Sequence, residues 1–289
     1  NIAGLPTETV YGLAGNAYSK LSVIKIFKLK NRPKINPLII HYLNLSKINN
    51  DVKLNKDFFK LYNKFCPGPL TFVLKKKKES KIVSLASAKL DTVAIRFPKH
   101  KVLRSILKLI DFPLAMPSAN LSSGLSPVNA YDVFEEFGKK IKIILNGGSS
   151  KIGIESTVIS LIGKPKVLRP GIISEKEIKK VLKTNLSNKK SKIRSPGMFK
   201  KHYSPGIPVI IGRKSIDHKY ANIVFGKKYK DNKNFFNLSE KGDLKEAAAN
   251  LYKTMRKIKK KGYKKIFVSK IPNQGPGLAI NDRLKRASN

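Results

Sequence analysis

Residues 243 to 268 set the architecture of the chain's second half. Asp243 opens a segment in which Leu244, Ala247, Ala248, Leu251, Tyr252, Met255 and Ile258 recur at three- and four-residue intervals, the spacing of a helix with one apolar face. Apolar runs of strand type flank it: Ile207 to Ile211 and Asn222 to Phe225 before, Ile266-Phe267-Val268 after. Strand, helix and strand in that order predict a small α/β unit with a parallel sheet. Residues 272 to 279, rich in Gly and Pro, read as a turn ahead of a short Arg-bearing end.

Upstream, residues 184 to 194 are polar, Lys- and Ser-rich and without period, which marks a linker. Ser195-Pro196-Gly197-Met198 and His202-Tyr203-Ser204-Pro205-Gly206 follow, and this packing of Pro, Gly, His and Tyr predicts an ordered segment resting on the rest of the protein. A length of 289 residues fits roughly two domains. The expected division is a first domain over residues 1–184, a linker over 185–206 and a small domain over 207–289.

In the first domain Ser19 is a helix cap, Val23, Ile24 and Phe27 give the helical period, and Pro33 stops the helix just past Arg32. Lys30 and Arg32 therefore leave a helix together, one a compact charge and the other a planar donor fork, a pairing suited to an anionic group or to an ordinary solvated turn. Strands are expected at Pro37 to Tyr42, ending near His41, at Leu70 to Leu74 after the turn Cys66-Pro67-Gly68-Pro69, and at Thr92 to Phe97. The last of these puts Arg96 among apolar neighbours, where it needs an anion. With 18 Asp and Glu against 60 Lys and Arg, a ligand is the expected partner. Leu114-Ala115-Met116 leads into Pro117-Ser118-Ala119-Asn120 and Ser122-Ser123-Gly124, a run that suits close approach of a polyphosphate and equally suits a plain turn. Asn129 caps a helix through Phe137, Ile141 to Leu145 and the run from Gly153 to Ile162 hold strands, and Ser174 with Glu177 forms a capping box.

A formal net charge of +42 invites a nucleic-acid reading, but the lysines are spread over nearly every segment, as a compositional bias would spread them. The charge still attracts anionic substrates such as nucleotides. Cys66 is the only cysteine, so no intramolecular disulfide or cysteine-based zinc site is available. No apolar run is long enough for a membrane helix, and a cytoplasmic protein without membrane contact is expected.

Taken in order, Pro6-Thr7-Glu8-Thr9-Val10-Tyr11-Gly12-Leu13, Lys30-x-Arg32-Pro33 with Asn36-Pro37-Leu38, Pro67-Gly68-Pro69-Leu70-Thr71, Val93 to Pro98, Pro117 to Asn120, Glu155-Ser156-Thr157-Val158 and Arg169-Pro170-Gly171 resemble the YrdC-like family. Ser195 to Met198, His202 to Pro205 and Ala279-Ile280-Asn281-Asp282-Arg283-Leu284 extend the resemblance to its two-domain L-threonylcarbamoyladenylate synthases. The resemblance implies an α/β fold: a twisted open mixed sheet with a large concave cavity, followed by a small Rossmann-like α/β domain, with the linker lying over the cavity. It implies an enzyme that makes threonylcarbamoyl-AMP and pyrophosphate from L-threonine, bicarbonate and ATP for a tRNA adenosine modification. It places Lys30, Arg32, Ser118 and Asn120 at the centre of catalysis and ATP binding, with Asn36, Thr92, Ser126, Val128, Arg169, His202 and Tyr203 completing the nucleotide site. Threonine falls to Thr9, His41, Arg96, Ser118 and Ser156. Magnesium is expected to accompany ATP, with no tightly bound organic cofactor and no protein metal site, and the product passes to the tRNA threonylcarbamoyl transferase machinery. Direct tRNA binding is compatible with the charge but not required.

Two departures stand out. Val128 occupies a position where the family commonly has threonine, which leaves Ser126 or the backbone to make any contact there. The helix and strand expected before Pro6 are missing, so an edge of the first sheet should be uncovered. The rival readings are a non-catalytic YrdC-like RNA-binding module and a different carbamoyl-adenylate enzyme such as the domain used in hydrogenase maturation, against which the linker and carboxy-terminal motifs count.

Overall fold

Two sheets organise the computed structural model, which describes residues 1–48, 50–188, 202–212, 220–229 and 233–288. Nine strands build the first: β1 (Ile2–Leu5), β2 (Gly12–Asn16), β3 (Ile39–His41), β4 (Leu70–Lys75), β5 (Thr92–Arg96), β6 (Leu114–Ala115), β7 (Ile143–Ile144), β8 (Thr157–Ser160) and β9 (Lys166–Arg169). Their spatial order is β7-β1-β2-β6-β3-β5-β4-β8-β9, with parallel and antiparallel pairs mixed. Helices α1 (Lys20–Lys30), α2 (Lys56–Phe65), α3 (Lys101–Leu109), α4 (Ala130–Phe137) and α5 (Glu175–Leu182) accompany it. The second sheet holds β10 (Val209–Ile211), β11 (Ala221–Val224), β12 (Phe235–Asn237) and β13 (Ile266–Val268) in the order β10-β13-β11-β12, all parallel as expected, with α6 (Leu244–Lys260) and α7 (Pro276–Ala287). No helix among the described residues is long and apolar enough to cross a membrane.

Local chemistry delivers the ends of these elements. Ser19 caps α1 by accepting from the Ser22 amide, and Asn31 closes it in the left-handed region (φ 48°), where asparagine is tolerated. That residue turns the chain between Lys30 and Arg32 and sends their side chains to different places. Ser174 and Glu177 make the expected capping box on α5, and Asp243 caps α6 through the amides of Lys245 and Glu246.

Three readings need correction and a fourth falls outside the described residues. Ile2–Leu5 is a strand in the sheet's interior, antiparallel to β2 and parallel to β7, so the chain's start leaves no bare edge; the strand is short and carries Ala and Gly, which hid it. Residues 276–287 form α7 in place of a turn and a short end, because Pro276 sits at the helix start behind Gly275 (φ 48°). Strands β9 and β12 went unread, being short edge strands with partly exposed residues. Residues 189–201, which include Ser195 to Met198, lie outside the described residues.

The large core beneath the first sheet is anchored by Phe58, whose ring lies 4.9 Å from that of Phe72 and 5.6 Å from that of Tyr62. The second core, between the parallel sheet and helices α6 and α7, also takes in Val10, Leu125, Val128 and Ile154 from the first domain and Tyr203 between the two. Apolar burial thus crosses the domain boundary beside the cavity described next.

Candidate active site

A cavity with an open volume of about 550 Å³ lies at the ends of β3, β5, β6, β8 and β9. Its walls come from the loop at Thr7 to Gly12, from Arg32, His41, Arg96 and Ser118, from Glu155, Ser156 and Arg169, and from His202 and Tyr203. Nine of the residues expected from the sequence line it: Thr9, Arg32, His41, Arg96, Ser118, Ser156, Arg169, His202 and Tyr203.

The entry loop is held by its own hydroxyls. The Thr7 hydroxyl donates to the Val10 carbonyl at 2.6 Å and accepts from the Thr9 and Val10 amides at 3.0 and 3.1 Å. This turn presents Glu8 and Thr9 to Arg96, which donates to Glu8 Oε1 at 2.6 Å and to Thr9 Oγ1 at 2.8 Å. The partner of Arg96 is thus a carboxylate of the chain itself, where the scarcity of acids had pointed to a ligand: Glu8, its side chain 11% exposed and flanked by the wall residues Thr7 and Thr9, takes that place. Burial opposes charge on Glu8, yet Arg96 outweighs it and holds the carboxyl below its ordinary pKa.

Lys30 does not line the cavity. Its ammonium lies beneath the Ser118 to Asn120 loop, donating to the carbonyls of Ser118 (2.6 Å) and Asn120. The loop is closed further by Ser118 Oγ donating to Asn120 Oδ1 at 2.6 Å and by the Asn120 amide donating to the carbonyls of Leu121 and Gly124. Arg32 does face the cavity, its plane fixed by bonds from Nε and Nη2 to Asn36 and to the Pro37 carbonyl. Burial, then neighbouring Arg169, pulls Arg32 down to about 9, and burial followed by Arg32 lowers Lys30 well below its usual value. Arg32 and Arg169, unlike Lys30, both face the cavity, where two guanidinium groups can share an anion.

Asn36 and Asn120 therefore act one bond behind the wall, through Arg32 and Ser118. Val128 is buried in the second core, with its amide donating to Asp132. Thr92 sits at the opposite end of β5 from Arg96, paired with Lys75 and away from the cavity lining. On the far wall Arg169 donates to the carbonyl and hydroxyl of Ser156, both at 3.1 Å, and Ser156 shares a 2.7 Å hydroxyl contact with Thr71. His41, pulled down to about 3 by burial and then Arg96, is neutral at physiological pH, and burial does the same to His202.

Glu155 was not among the expected residues. It lines the cavity and receives Ser126 Oγ at 2.5 Å, Tyr252 Oη at 3.1 Å and Arg283 Nε at 3.0 Å. Tyr252 belongs to α6 and Arg283 to α7, so two helices of the small domain end their polar contacts on one carboxylate of the first. Tyr203 is wedged among them, its ring 5.7 Å from that of Tyr252 and 5.2 Å from the Arg283 guanidinium. The available signals were a lone acid inside Glu155-Ser156-Thr157-Val158 and the motif around Arg283; Tyr252 was read only as part of an apolar face. Among the described residues no three His, Cys, Asp or Glu side chains are grouped to hold a metal ion.

Comparison with known proteins adds to this geometry. A family model for Sua5, YciO and YrdC, described as telomere recombination, matches residues 1–171, and one described as threonylcarbamoyl-AMP synthase, C-terminal domain, matches residues 173–289. A Pyrococcus abyssi protein named threonylcarbamoyl-AMP synthase is 36% identical over 99% of this chain and 90% of its own length. Its Bacillus subtilis namesake is 33% identical over 99% and 89%. The crystal structure of P. abyssi Sua5 complexed with L-threonine superimposes with a TM-score of 0.90 at 34% identity, over 99% of this chain and 90% of that one. With both domains matched end to end, the chain belongs to the Sua5/YciO/YrdC family, in the form that carries a Sua5 C-terminal domain.

Proposed function

We infer that the chain is an ATP-dependent threonylcarbamoyl-AMP synthase, which joins L-threonine, bicarbonate and ATP with release of pyrophosphate. The observation that carries this is the near full-length likeness to a Sua5 protein complexed with L-threonine, supported by the cavity that residues of these motifs line in this chain. The chemistry has two bond-forming steps. The threonine amine attacks the bicarbonate carbon, and the departing hydroxide leaves with an amine proton as water, giving a carbamate; a carbamate oxygen then attacks the α-phosphorus of ATP, and the bond to the bridging oxygen breaks as pyrophosphate leaves. Neither step needs a covalent enzyme intermediate, and the cavity offers no poised nucleophile: Cys66 does not line it, and burial pushes its thiol up to about 12. His41 and His202, both near 3, act as neutral hydrogen-bonding groups. Catalysis rests on positioning and fixed positive charge.

In this reading Arg32, Arg169 and the Ser118 hydroxyl take the phosphates, and Lys30 holds the Ser118 to Asn120 loop beneath them. Thr9, His41, Arg96 and Ser156 surround threonine, and the Glu8 to Arg96 pair fixes that wall. The buried Tyr203 hydroxyl and His202 Nδ1 have no hydrogen-bond partner among the described residues, which suits them to a ligand's polar edge. Magnesium would enter on the phosphates, neutralising charge, since Glu155, the one carboxylate among the described lining residues, is already occupied by Ser126, Tyr252 and Arg283. The product is a reactive mixed anhydride, so a tRNA-modifying transferase in the same compartment, the cytoplasm, is its natural consumer. The domains divide at residues 184 and 207, and His202 and Tyr203 from the segment between them line the cavity.

The test incubates intact protein with threonine, labelled bicarbonate, ATP and magnesium. Threonine-dependent pyrophosphate and a labelled adenylate are expected; their absence sinks the reading, and tight RNA binding without turnover would favour the module reading instead.

A further inference from the structure

Glu155 poses a problem for an enzyme of polyanions. A carboxylate in the wall of a cavity that must admit a triphosphate opposes its substrate, and it also competes for the arginines meant for the phosphates. Among the described residues the first domain supplies Ser126 Oγ and neighbouring Arg169 to offset it. The strong partner comes from elsewhere: Arg283 of α7, its side chain fully buried, donates from Nε to Glu155 at 3.0 Å, while its Nη1 donates to the Pro170 carbonyl at 2.7 Å, next to Arg169, and to Asp282 at 3.1 Å. Tyr252 of α6 adds its hydroxyl to the same carboxylate.

We propose that the C-terminal domain serves the active site as a counter-charge: Arg283, with Tyr252, neutralises Glu155, leaving Arg169 and Arg32 to the ATP phosphates. Arg283 is a positioning residue, since it acts through Glu155 and does not itself line the cavity. The groups facing Glu155 are Ser126, Arg169, His202, Tyr203, Tyr252 and Arg283. Burial favours the neutral acid, and Arg283 first, then Arg169, reverse this and hold Glu155 at about 2. Removing Arg283 takes away the largest of these opposing influences, so the carboxyl pKa rises and Arg169 is drawn towards whatever charge remains.

The inference rests on the adenylate-forming reading, and the native protein is the control for it: no pyrophosphate from native protein defeats that reading, whereas the proposal concerns variants measured against active native protein. In the full chain, Arg283→Met should raise KM for ATP on the order of 100-fold at pH 8, the scale expected for an unpaired buried charge, with KM for threonine little changed. The defect should shrink as the pH is lowered and Glu155 takes up a proton, whereas the native profile shows no such recovery. Arg283→Lys should recover part of the affinity, and Glu155→Gln placed in the Arg283→Met background should recover most of it. An unchanged KM for ATP overturns the proposal, as does a loss that is flat with pH and not relieved by Glu155→Gln. If Arg283→Met does not fold, the Glu155→Gln, Arg283→Met protein decides: recovered ATP affinity supports the counter-charge, while weak affinity or failure of this protein to fold overturns it.

Discussion

Lys30 and Arg32 are two positions apart and do different work. The Lys30 ammonium, 1% exposed, holds two main-chain carbonyls, so Lys30→Met leaves both without a donor. A stability loss of about 1–3 kcal/mol, read from urea denaturation, is expected together with lost turnover. Arg32→Ala, at a partly exposed cavity wall, should cost on the order of 100-fold or more in kcat/KM for ATP with a much smaller shift in melting temperature. Sequence alone could not separate the two, because what divides them is the left-handed turn at Asn31. The same limit hid Glu155: a motif shows an acid but not that three side chains converge on it.

Acid should unfold the protein in two stages. His41 and His202 drop from 6.5 to about 3 on folding, so the unfolded chain binds more protons as pH falls below about 6.5 and stability is lost from there downward. Glu155, lowered from 4.5 to about 2, stabilises the fold above pH 4.5, and that contribution is lost between 4.5 and 2; Glu8, also lowered, adds in the same direction. Denaturation midpoints across pH should show both slopes, and Glu155→Gln should flatten the lower one while sparing the upper.

At the scale of elements, the cavity depends on how α6 docks. Gly153 has φ +74°, and a Cβ there would stand 2.5 Å from the Ala249 Cα of α6. Gly153→Ala should therefore force α6 away from the loop carrying Glu155, lowering the melting temperature and weakening ATP binding; a variant with native melting and native KM for ATP would count against this docking. Long amphipathic elements such as α6, and capped ones such as α1 and α5, were plain in the sequence because one residue every turn carries the signal. Strands of four residues, β1 and β9 among them, were too short to show a period although each pairs with a strand close by in sequence, and α7 was masked by the Pro and Gly that begin it. Of the site, the lining arginines, hydroxyls and His202 with Tyr203 were legible through motif order, while the small domain's contribution was not.

For the whole molecule the dominant force at long range is self-repulsion, with a formal net charge of +42. Ion pairs across the domain boundary, among them Arg283 with Glu155 at 3.0 Å, Arg256 with Glu136 at 3.2 Å and Lys260 with Glu135 at 2.8 Å, pull the other way but are few among the described residues. Raising salt from about 20 mM to about 500 mM shortens the screening length several-fold and should raise the melting temperature, because many repulsions are damped for each attraction lost. A fall in melting temperature would mean that the boundary pairs dominate.

The bond between Glu155 and Arg283 spans 128 positions. A chain made from its amino terminus forms most of the cavity wall long before α7 emerges, and through that interval Glu155 has no arginine from the small domain. Activity should consequently switch on late in synthesis, when Arg283 reaches its place. A nascent chain or a product of early termination that lacks α7 should hold its substrates poorly, so release of a labile adenylate should await the synthesis of α7.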